Sequence, residues 1–329
     1  MRLPIRSAAR THAPFVLAAL TSALVVAAGG APPPAWAQAQ PAAGHTVDWA
    51  AVDEALGRTG AEQPGGVRRY AMPRADLRVT ARGVAIRPAF ALGAWLAMTP
   101  HGDSAGRPHV MAMGDLVLTE AEVAPVMSAL QAGGVEQTAV HHHLLHEMPR
   151  ILYMHVHAAG DPVRIARAVR AALGRTGTPP APAPAAGDQG AGAAALGIDT
   201  AAVARALGRP GRVNGGVYSV SVPRAEAIRD GGMPVPAAMG LATAINVQSA
   251  GGGRAAITGD FVLTAAEVNP VIRALRAHDI EVTSLHNHLL ADEPRLFFLH
   301  FWAVDDAARL ARGLRAALDR TNVRRVSAR

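Results

Sequence analysis

The chain contains a pattern of apolar and polar positions that occurs twice, from Gly114 to Thr176 and from Gly259 to Thr321. Each copy has a short apolar run, a stretch with apolar residues every three or four positions, two more apolar runs and a final stretch of the same spacing. About half the positions are identical, without a gap. Short apolar runs are typical of strands, and the three-to-four spacing is typical of amphipathic helices. Each copy is therefore predicted to fold as β-α-β-β-α.

The second copy illustrates the predicted elements. They are a short strand over 261–263, a helix ending near Ala277, a strand over 280–290, a turn over 291–294, a strand over 295–304 and a last helix. Thr264 and Glu267 match a capping box, and Asp305 or Asp306 caps the last helix. Strands with interposed helices predict an α+β fold of two tandem domains, each a mainly antiparallel sheet packed with helices.

The repeat extends upstream of this block, so each copy is a whole domain. The tetrapeptide at 55–58 recurs at 206–209. We predict a first domain at 45–177 and a second at 198–322, joined by a Pro/Ala/Gly-rich linker over 178–197. The two repeats are expected to pack on each other.

The N-terminal segment has the pattern of a secretory signal peptide. A stretch with three arginines over 2–10 precedes an apolar run over 15–28, and an A-x-A cleavage pattern follows over 35–37. We therefore predict a signal peptide over 1–37 and a periplasmic or secreted protein. No later apolar run is long enough to span a bilayer, so no integral membrane segment is expected after cleavage.

Composition limits the classes of partner and ligand. The net charge is +7, but the 32 basic residues, all arginine, are interspersed with acids. They form no basic block interleaved with aromatics, so nucleic-acid binding is not expected. The chain has no cysteine, so we expect no disulfide, no thiolate ligand and no lipid-anchored cysteine. A bound metal would need histidine, carboxylate or methionine ligands.

The repeat separates shared histidines from variable ones. The shared set is His141, His143 and His155 in the first copy and His286, His288 and His300 in the second. Two histidines two positions apart on a strand point to one face. The register of the next strand decides whether the third histidine joins them. Three convergent imidazoles would suit Zn, Cu, Fe, Ni or Mn.

Other shared polar residues have simpler explanations in most cases. Glu147 and Glu293 are candidate general bases near the histidines. Arg150 and Arg295 follow a proline at the same turn, where each would bind an anionic ligand or form an ion pair with a neighbouring helix. Asp115 and Asp260, which follow glycines before a strand, are interpreted as turn residues, with a ligand role as the alternative.

The motifs resemble a known family. One pattern occurs at both 141–157 and 286–302. It begins with H-x-H-L-L and continues with an acidic residue, Pro-Arg and an apolar run that ends in His. It resembles the LppY/LpqO family, known chiefly as mycobacterial lipoproteins with a domain of unknown function. The resemblance covers 49–176 and 198–321, and it implies an exported protein without supplying a reaction. The chain lacks the cysteine of a lipobox, so lipid anchoring is not carried over.

Three functional hypotheses remain open at this point, and they leave undecided whether the protein is an enzyme. The first is an exported protein that binds a metal ion or small ligand through the histidines of each repeat. The second is a metal-dependent hydrolase that uses a metal-bound water. The third is a structural or cell-envelope interaction protein whose histidines only pack. Because His142 and His157 are Asn287 and Trp302 in the second copy, the second site is expected to be the cleaner one.

Overall fold

The computed structural model describes residues 46–101, 108–180 and 196–324. The predicted signal peptide and most of the predicted linker therefore lie outside the described residues. None of the helices described is long and apolar enough to cross a membrane.

The first repeat begins with a helix, and two longer helices follow its central strands. Its elements are α1 (Trp49–Leu56), β1 (Ala61–Gln63), β2 (Val67–Pro73), β3 (Thr80–Ala81), β4 (Val84–Ala85), α2 (Pro88–Ala91), β5 (Gly93–Pro100), β6 (Val110–Thr119), α3 (Glu120–Ala132), β7 (Glu136–His141), β8 (Glu147–Met148), β9 (Ile151–Gly160) and α4 (Pro162–Leu173).

The second repeat has the same order of elements, with a 3-10 turn at Ala237–Met239 in the place of α2. Its elements are α5 (Thr200–Leu207), β10 (Arg212–Asn214), β11 (Val217–Pro223), β12 (Ile228–Asp230), β13 (Met233–Val235), β14 (Ala242–Gly251), β15 (Arg254–Thr264), α6 (Ala265–Arg276), β16 (Glu281–His286), β17 (Asp292–Glu293), β18 (Leu296–Asp305) and α7 (Ala307–Leu318).

Each repeat builds a six-stranded antiparallel sheet. The strand orders are β1-β2-β5-β6-β9-β7 and β10-β11-β14-β15-β18-β16, so the two sheets are topologically equivalent. A three-stranded sheet accompanies each of them, β4-β3-β8 in the first repeat and β13-β12-β17 in the second. The predicted α+β class with mainly antiparallel sheets and packed helices is confirmed.

The two large sheets pack against each other, and their helices cover the outer faces. In β6, Ala112 and Leu116 belong to the core of the first repeat beneath its helices. The alternate residue Met113 belongs to a core shared with Val262 and Phe298 of the second repeat. Since successive side chains of a strand point to opposite faces, the central strands are buried on both sides. The space between the sheets is where the shared histidines lie.

Each repeat also sends a segment across to the other sheet. The amide of Asn246 on β14 donates to the carbonyl of Phe90 in α2 at 3.0 Å, and Gln248 donates to the carbonyl of Ala85 at 2.7 Å. Phe90 packs edge-on against Trp302 with ring centroids 6.0 Å apart. The repeats are thus held together by polar and apolar contacts.

Three local predictions differ from the structure. The strand predicted over 261–263 is longer in the structure, where it is β15 (Arg254–Thr264). Gly259 and its polar neighbours interrupt the apolar pattern of this central strand, so the sequence reveals only its last part. The strand predicted over 280–290 ends at His286, after which the chain turns toward the other repeat. The predicted turn at 291–294 contains β17, which pairs with β12.

Candidate metal centre

The shared histidines occupy equivalent places on the inner faces of the two sheets. His155 on β9 pairs in register with Asp115 on β6, and His300 on β18 pairs with Asp260 on β15. The edge strands β7 and β16 end at the first histidine of each H-x-H motif, and the second histidine lies in the loop that follows. The register that the sequence left open places all three histidines of each repeat between the sheets.

The six rings form one cluster to which both repeats contribute. The closest facing pairs each join the two repeats. Their ring centroids are 3.4 Å apart for His141 and His286, 3.9 Å for His143 and His300, and 3.6 Å for His155 and His288. The outer face of each loop histidine is covered by an aromatic ring of its own repeat, Tyr153 or Phe298, at 3.3 Å. An approximate two-fold relation therefore connects the two halves.

Backbone carbonyls define which ring nitrogen is protonated in three of these histidines. The Nδ1 atoms donate to carbonyl oxygens, His141 to His142 at 3.1 Å, His286 to Asn287 at 3.0 Å and His300 to Gly259 at 2.9 Å. Since a carbonyl only accepts, each neutral ring carries its hydrogen on Nδ1 and a lone pair on Nε2. The Nε2 atoms of His286 and His300 are 2.9 Å apart, so two lone pairs face each other. A cation bound to either atom would remove that repulsion.

Five further ring nitrogens in the cluster are buried without a hydrogen-bond partner. They are Nε2 of His141, His143 and His155, and both ring nitrogens of His288. His155 is 2% exposed, His300 3% and His288 5%. A buried polar atom without a partner costs free energy, so native proteins pair nearly all of them. A bound metal ion would satisfy these nitrogens together.

The cluster is neutral at neutral pH. Burial, with the neighbouring His286, lowers the pKa of His141 to about 3, and burial lowers the pKa of His286 to about 4. Burial and the surrounding imidazoles hold the pKa of the other four well below the usual histidine value. Neutral imidazole is the form that ligates metals.

Two aspartates interpreted from the sequence as turn residues instead lie inside central strands beside the cluster. Burial, with the nearby Asp260, raises the pKa of Asp115 well above its usual value, and burial raises that of Asp260 to about 7. The Arg69 cation opposes both shifts. One oxygen of Asp115 is 3.6 Å from Nε2 of His143. Asp115 is thus a ligand candidate, the alternative that the sequence offered to a turn position.

Among the residues that the structure describes, three sets of side chains bring their ligand atoms within 4.8 Å of one another and could hold a metal ion. They are Asp115, His141, His143 and His155; His141, His286 and His300; and His155, His286 and His288. Two of the three sets combine residues of both repeats. The sequence pattern alone indicates a separate site in each repeat.

The family profile described as Domain of Unknown Function (DUF1259) matches residues 50–175 and 201–320. The chain belongs to this family. It carries two tandem copies of the domain, and each copy contributes half of the histidine cluster.

Comparison with characterised proteins adds little to this DUF1259 assignment. No curated protein matches the chain. The trimeric bacterial microcompartment shell protein PduB is 13% identical with a TM-score of 0.23, over 80% of this chain and 89% of that chain. EtuB from Clostridium kluyveri is 12% identical with a TM-score of 0.20, over 79% and 90%. Neither likeness is close enough to carry a conclusion about this chain.

The candidate general bases of the DUF1259 repeats are not equivalent positions. Glu147 is buried and accepts from the backbone amide of Ile151 at 3.4 Å. Its counterpart in the second repeat is Asp292, which accepts from Leu296 at 2.6 Å, whereas Glu293 is exposed. The two buried carboxylates thus hold the turn that precedes β9 or β18.

The two arginines at this turn do not contact a neighbouring helix. Arg295 is exposed and donates to Asp292 at 2.8 Å within the same turn, and Arg150 is exposed as well. Among the described residues, neither arginine belongs to a set whose ligand atoms meet at the histidines.

Two threonines fasten the histidine loops across the repeat boundary. Thr138 Oγ1 donates to the carbonyl of His288 at 2.5 Å, and Thr283 Oγ1 donates to the carbonyl of His143 at 2.6 Å. Each threonine lies where the pairing of its edge strand shifts register, and such a bulge re-aims a side chain.

Replacing these threonines tests whether their hydrogen bonds to the histidine loops stabilise the protein. We expect Thr138→Val and Thr283→Val each to lower the free energy of unfolding by about 1 kcal/mol, because each leaves a carbonyl without its donor. Urea unfolding measures the change. Thr80→Val, at an exposed position of β3, is the control and should stay within about 0.5 kcal/mol of the wild type. Equal effects at all three positions would contradict a specific role for the loop contacts.

Proposed function

We propose that this protein binds a late first-row transition metal, such as Cu(II) or Zn(II), in the histidine cluster between its repeats. The observation that carries the proposal is the convergence of buried imidazole nitrogens that have no hydrogen-bond donor. A purely structural role predicts imidazoles that are separately hydrogen-bonded. Here the carbonyl bonds orient three rings so that their free nitrogens point at other histidines.

The donor set supports this class of metal. Imidazole suits Zn, Cu, Fe and Ni, whereas Mg, Ca and Mn prefer carboxylate, carbonyl or water oxygens. Asp115 is the carboxylate that lies within ligand distance of the histidines in the described sets. Mn, which the sequence analysis had included, is therefore disfavoured on the chemistry of the ligands.

Binding is favoured over hydrolysis as the function. A metal hydrolase needs a bound water and a base beside it. The buried carboxylate of Glu147 is occupied by the amide of Ile151, and Glu293 is exposed. Of the two aspartates beside the cluster, Asp115 is itself a ligand candidate, and Asp260 accepts from the amide of Ala244 at 3.3 Å. His155, His288 and His300 are buried, so the metal would be held in a largely closed setting.

Metal content tests the proposal. We expect the chain, purified without an affinity tag and dialysed against Cu(II) or Zn(II), to retain metal at or above one ion per chain in elemental mass spectrometry. The variant His155→Ala/His300→Ala should lose it, because it removes one buried ligand from each sheet. His278→Ala, at an exposed position on the surface, should retain it. A wild type that remains metal-free after reconstitution would overturn the proposal.

We further propose that the protein is of the LppY/LpqO type and acts outside the cytoplasm. The tandem histidine motifs support the first statement, and the basic, apolar and A-x-A pattern of residues 1–37 supports the second. Expression in a Gram-negative host and N-terminal sequencing of the periplasmic fraction should give a first residue at Gln38. Recovery of the chain only from the cytoplasm, with residues 1–37 retained, would contradict export.

A further inference from the structure

We infer that the cluster is a dinuclear centre, in which each H-x-H motif is completed by the third histidine of the other repeat. This inference rests on the proposed metal binding and adds the number of ions and the ligands of each. The two crossed sets are His286, His288 and His155 for one ion, and His141, His143 and His300 for the other.

The first crossed set is directly visible in the geometry. The ligand atoms of His155, His286 and His288 lie within 4.8 Å of one another. The ring centroids of His155 and His288 are 3.6 Å apart, those of His155 and His286 are 5.5 Å apart, and those within the motif are 5.2 Å apart. Two ligands thus come from the second repeat and one from the first.

The approximate two-fold relation generates the second crossed set. Its three residues do not occur together in one described group of ligand atoms within 4.8 Å of one another, but His141 occurs with His143 in one group and with His300 in another. The corresponding centroid distances are 3.9 Å for His300 and His143, 5.8 Å for His300 and His141, and 5.0 Å within the motif. The distances in the two sets correspond closely. The sets share no residue and together use all six histidines.

Hydrogen bonds to the backbone support the crossed sets independently of the distances between the histidine rings. The carbonyl of His288 is bonded to Thr138 on β7 of the first repeat. The next residue on that strand, Ala139, pairs in register with His155. The loop of the second repeat is therefore fixed beside the third histidine of the first repeat.

The reciprocal contact is present on the other side. The carbonyl of His143 is bonded to Thr283, and the next residue, Ser284, pairs in register with His300. Each H-x-H motif is consequently held beside the sheet that carries the third histidine of its crossed set.

Asp115 makes the two sets unequal. One oxygen of its carboxyl group is 3.6 Å from Nε2 of His143 in the second set, closer than the 3.9 Å between its other oxygen and Nδ1 of His155 in the first set. The counterpart Asp260 accepts from the amide of Ala244 at 3.3 Å. An additional carboxylate strengthens attraction for a divalent cation. We therefore expect the two ions to bind in succession, the set beside Asp115 first.

A competing assignment keeps each set within its own repeat. Asp115, His141, His143 and His155 also bring their ligand atoms within 4.8 Å. The two assignments predict opposite results for a pair of double variants, each of which removes one H-x-H histidine and His155.

The deciding experiment is a Cu(II) titration followed by dialysis and elemental analysis. The wild type should bind two ions per chain. His155→Ala/His288→Ala changes one crossed set and should retain one ion. His155→Ala/His143→Ala changes both crossed sets and should retain none. If each set lies within its own repeat, the two double variants exchange these results.

The outcomes separate this inference from the proposed function. A wild type that binds a single ion overturns the dinuclear centre but leaves metal binding intact, whereas a wild type that binds none overturns the proposed function itself. Exchanged results for the double variants overturn the crossing alone. Circular dichroism confirms that each variant is folded before its metal content is compared.

A measurement on the wild type alone covers the case in which a variant does not fold. Two Cu(II) ions held by rings only a few ångströms apart are expected to couple magnetically. The electron paramagnetic resonance signal should therefore rise with the first equivalent of Cu(II) and broaden or decline with the second. A signal that rises to two equivalents without change in line shape would overturn a dinuclear centre.

Discussion

Arg224→Met is expected to lower the free energy of unfolding by about 3–5 kcal/mol, since it removes one partner of a buried ion pair and leaves the other without compensation. The Arg224 side chain is 1% exposed. It donates to Glu267 at 2.7 Å, to Glu226 at 2.8 Å and to the carbonyl of Val262 at 2.6 Å. These bonds join β11, β15 and the first turn of α6.

The loss should be visible in urea unfolding at neutral pH. Arg309→Met is the matched control, because that side chain is 51% exposed and its ion pairs with the exposed Asp279 and the partly exposed Asp305 are expected to contribute at most about 1 kcal/mol. Similar losses in the two variants would show that Arg224 has no special role in the fold. Arg74, bonded to Asp76 and Glu122, occupies the equivalent place in the first repeat and should behave alike.

The effect of Arg224→Met should also depend on pH. Burial alone would raise the pKa of Glu267, but hydrogen bonds from Arg224 and from backbone amides lower it overall. A carboxylate whose pKa is lowered by folding contributes stability above its unfolded pKa, about 4.3, and loses that contribution as pH falls through the folded value. The difference in Tm between wild type and variant should therefore be greatest at neutral pH and shrink below about pH 4.

Gly259→Ala is expected to lower the free energy of unfolding by at least about 3 kcal/mol. A Cβ at this position would lie 1.9 Å from the carbonyl oxygen of Ala244 and 3.2 Å from the Cα of Ile245. Both atoms belong to the backbone of the adjacent central strand, so no side-chain rotation relieves the overlap. Because the Gly259 carbonyl accepts from Nδ1 of His300, metal affinity should fall as well.

Thermal unfolding and metal content of the variant measure both consequences. Gly252→Ala is the control. It lies at the β14–β15 turn, where a Cβ would meet nothing within 4 Å. Its cost should be about 1 kcal/mol, from the positive φ alone. A Gly259→Ala protein that matches this control in Tm would show that the strands separate more easily than their packing indicates.

Local features of this fold could be predicted from the sequence. The capping box at Thr264 and the cap at Asp306 are present as expected. Each depends on residues a few positions apart, so the pattern in the chain is sufficient to reveal it. The β-α-β-β-α order of each repeat is recoverable for the same reason.

The composition of the candidate site could not be predicted in the same way. The contact between His141 and His286 joins residues far apart in the chain, and it depends on how two sheets pack. No local pattern encodes that packing. Asp115 was misread because Gly-Asp before an apolar run is also a turn pattern. The buried counterpart of Glu147 was sought at Glu293, although the ungapped repeat aligns it with Asp292.

The stacking of His141 on His286 has a consequence for the ancestry of the chain. These two rings are the same residue of the repeat and lie face to face at 3.4 Å, across the approximate two-fold relation. A protein with a single repeat would have to pair with a second copy of itself to build this cluster. The fused chain therefore has the internal symmetry of a homodimer within one polypeptide, and its two halves are free to differ, as they do at Trp302 and Asn287.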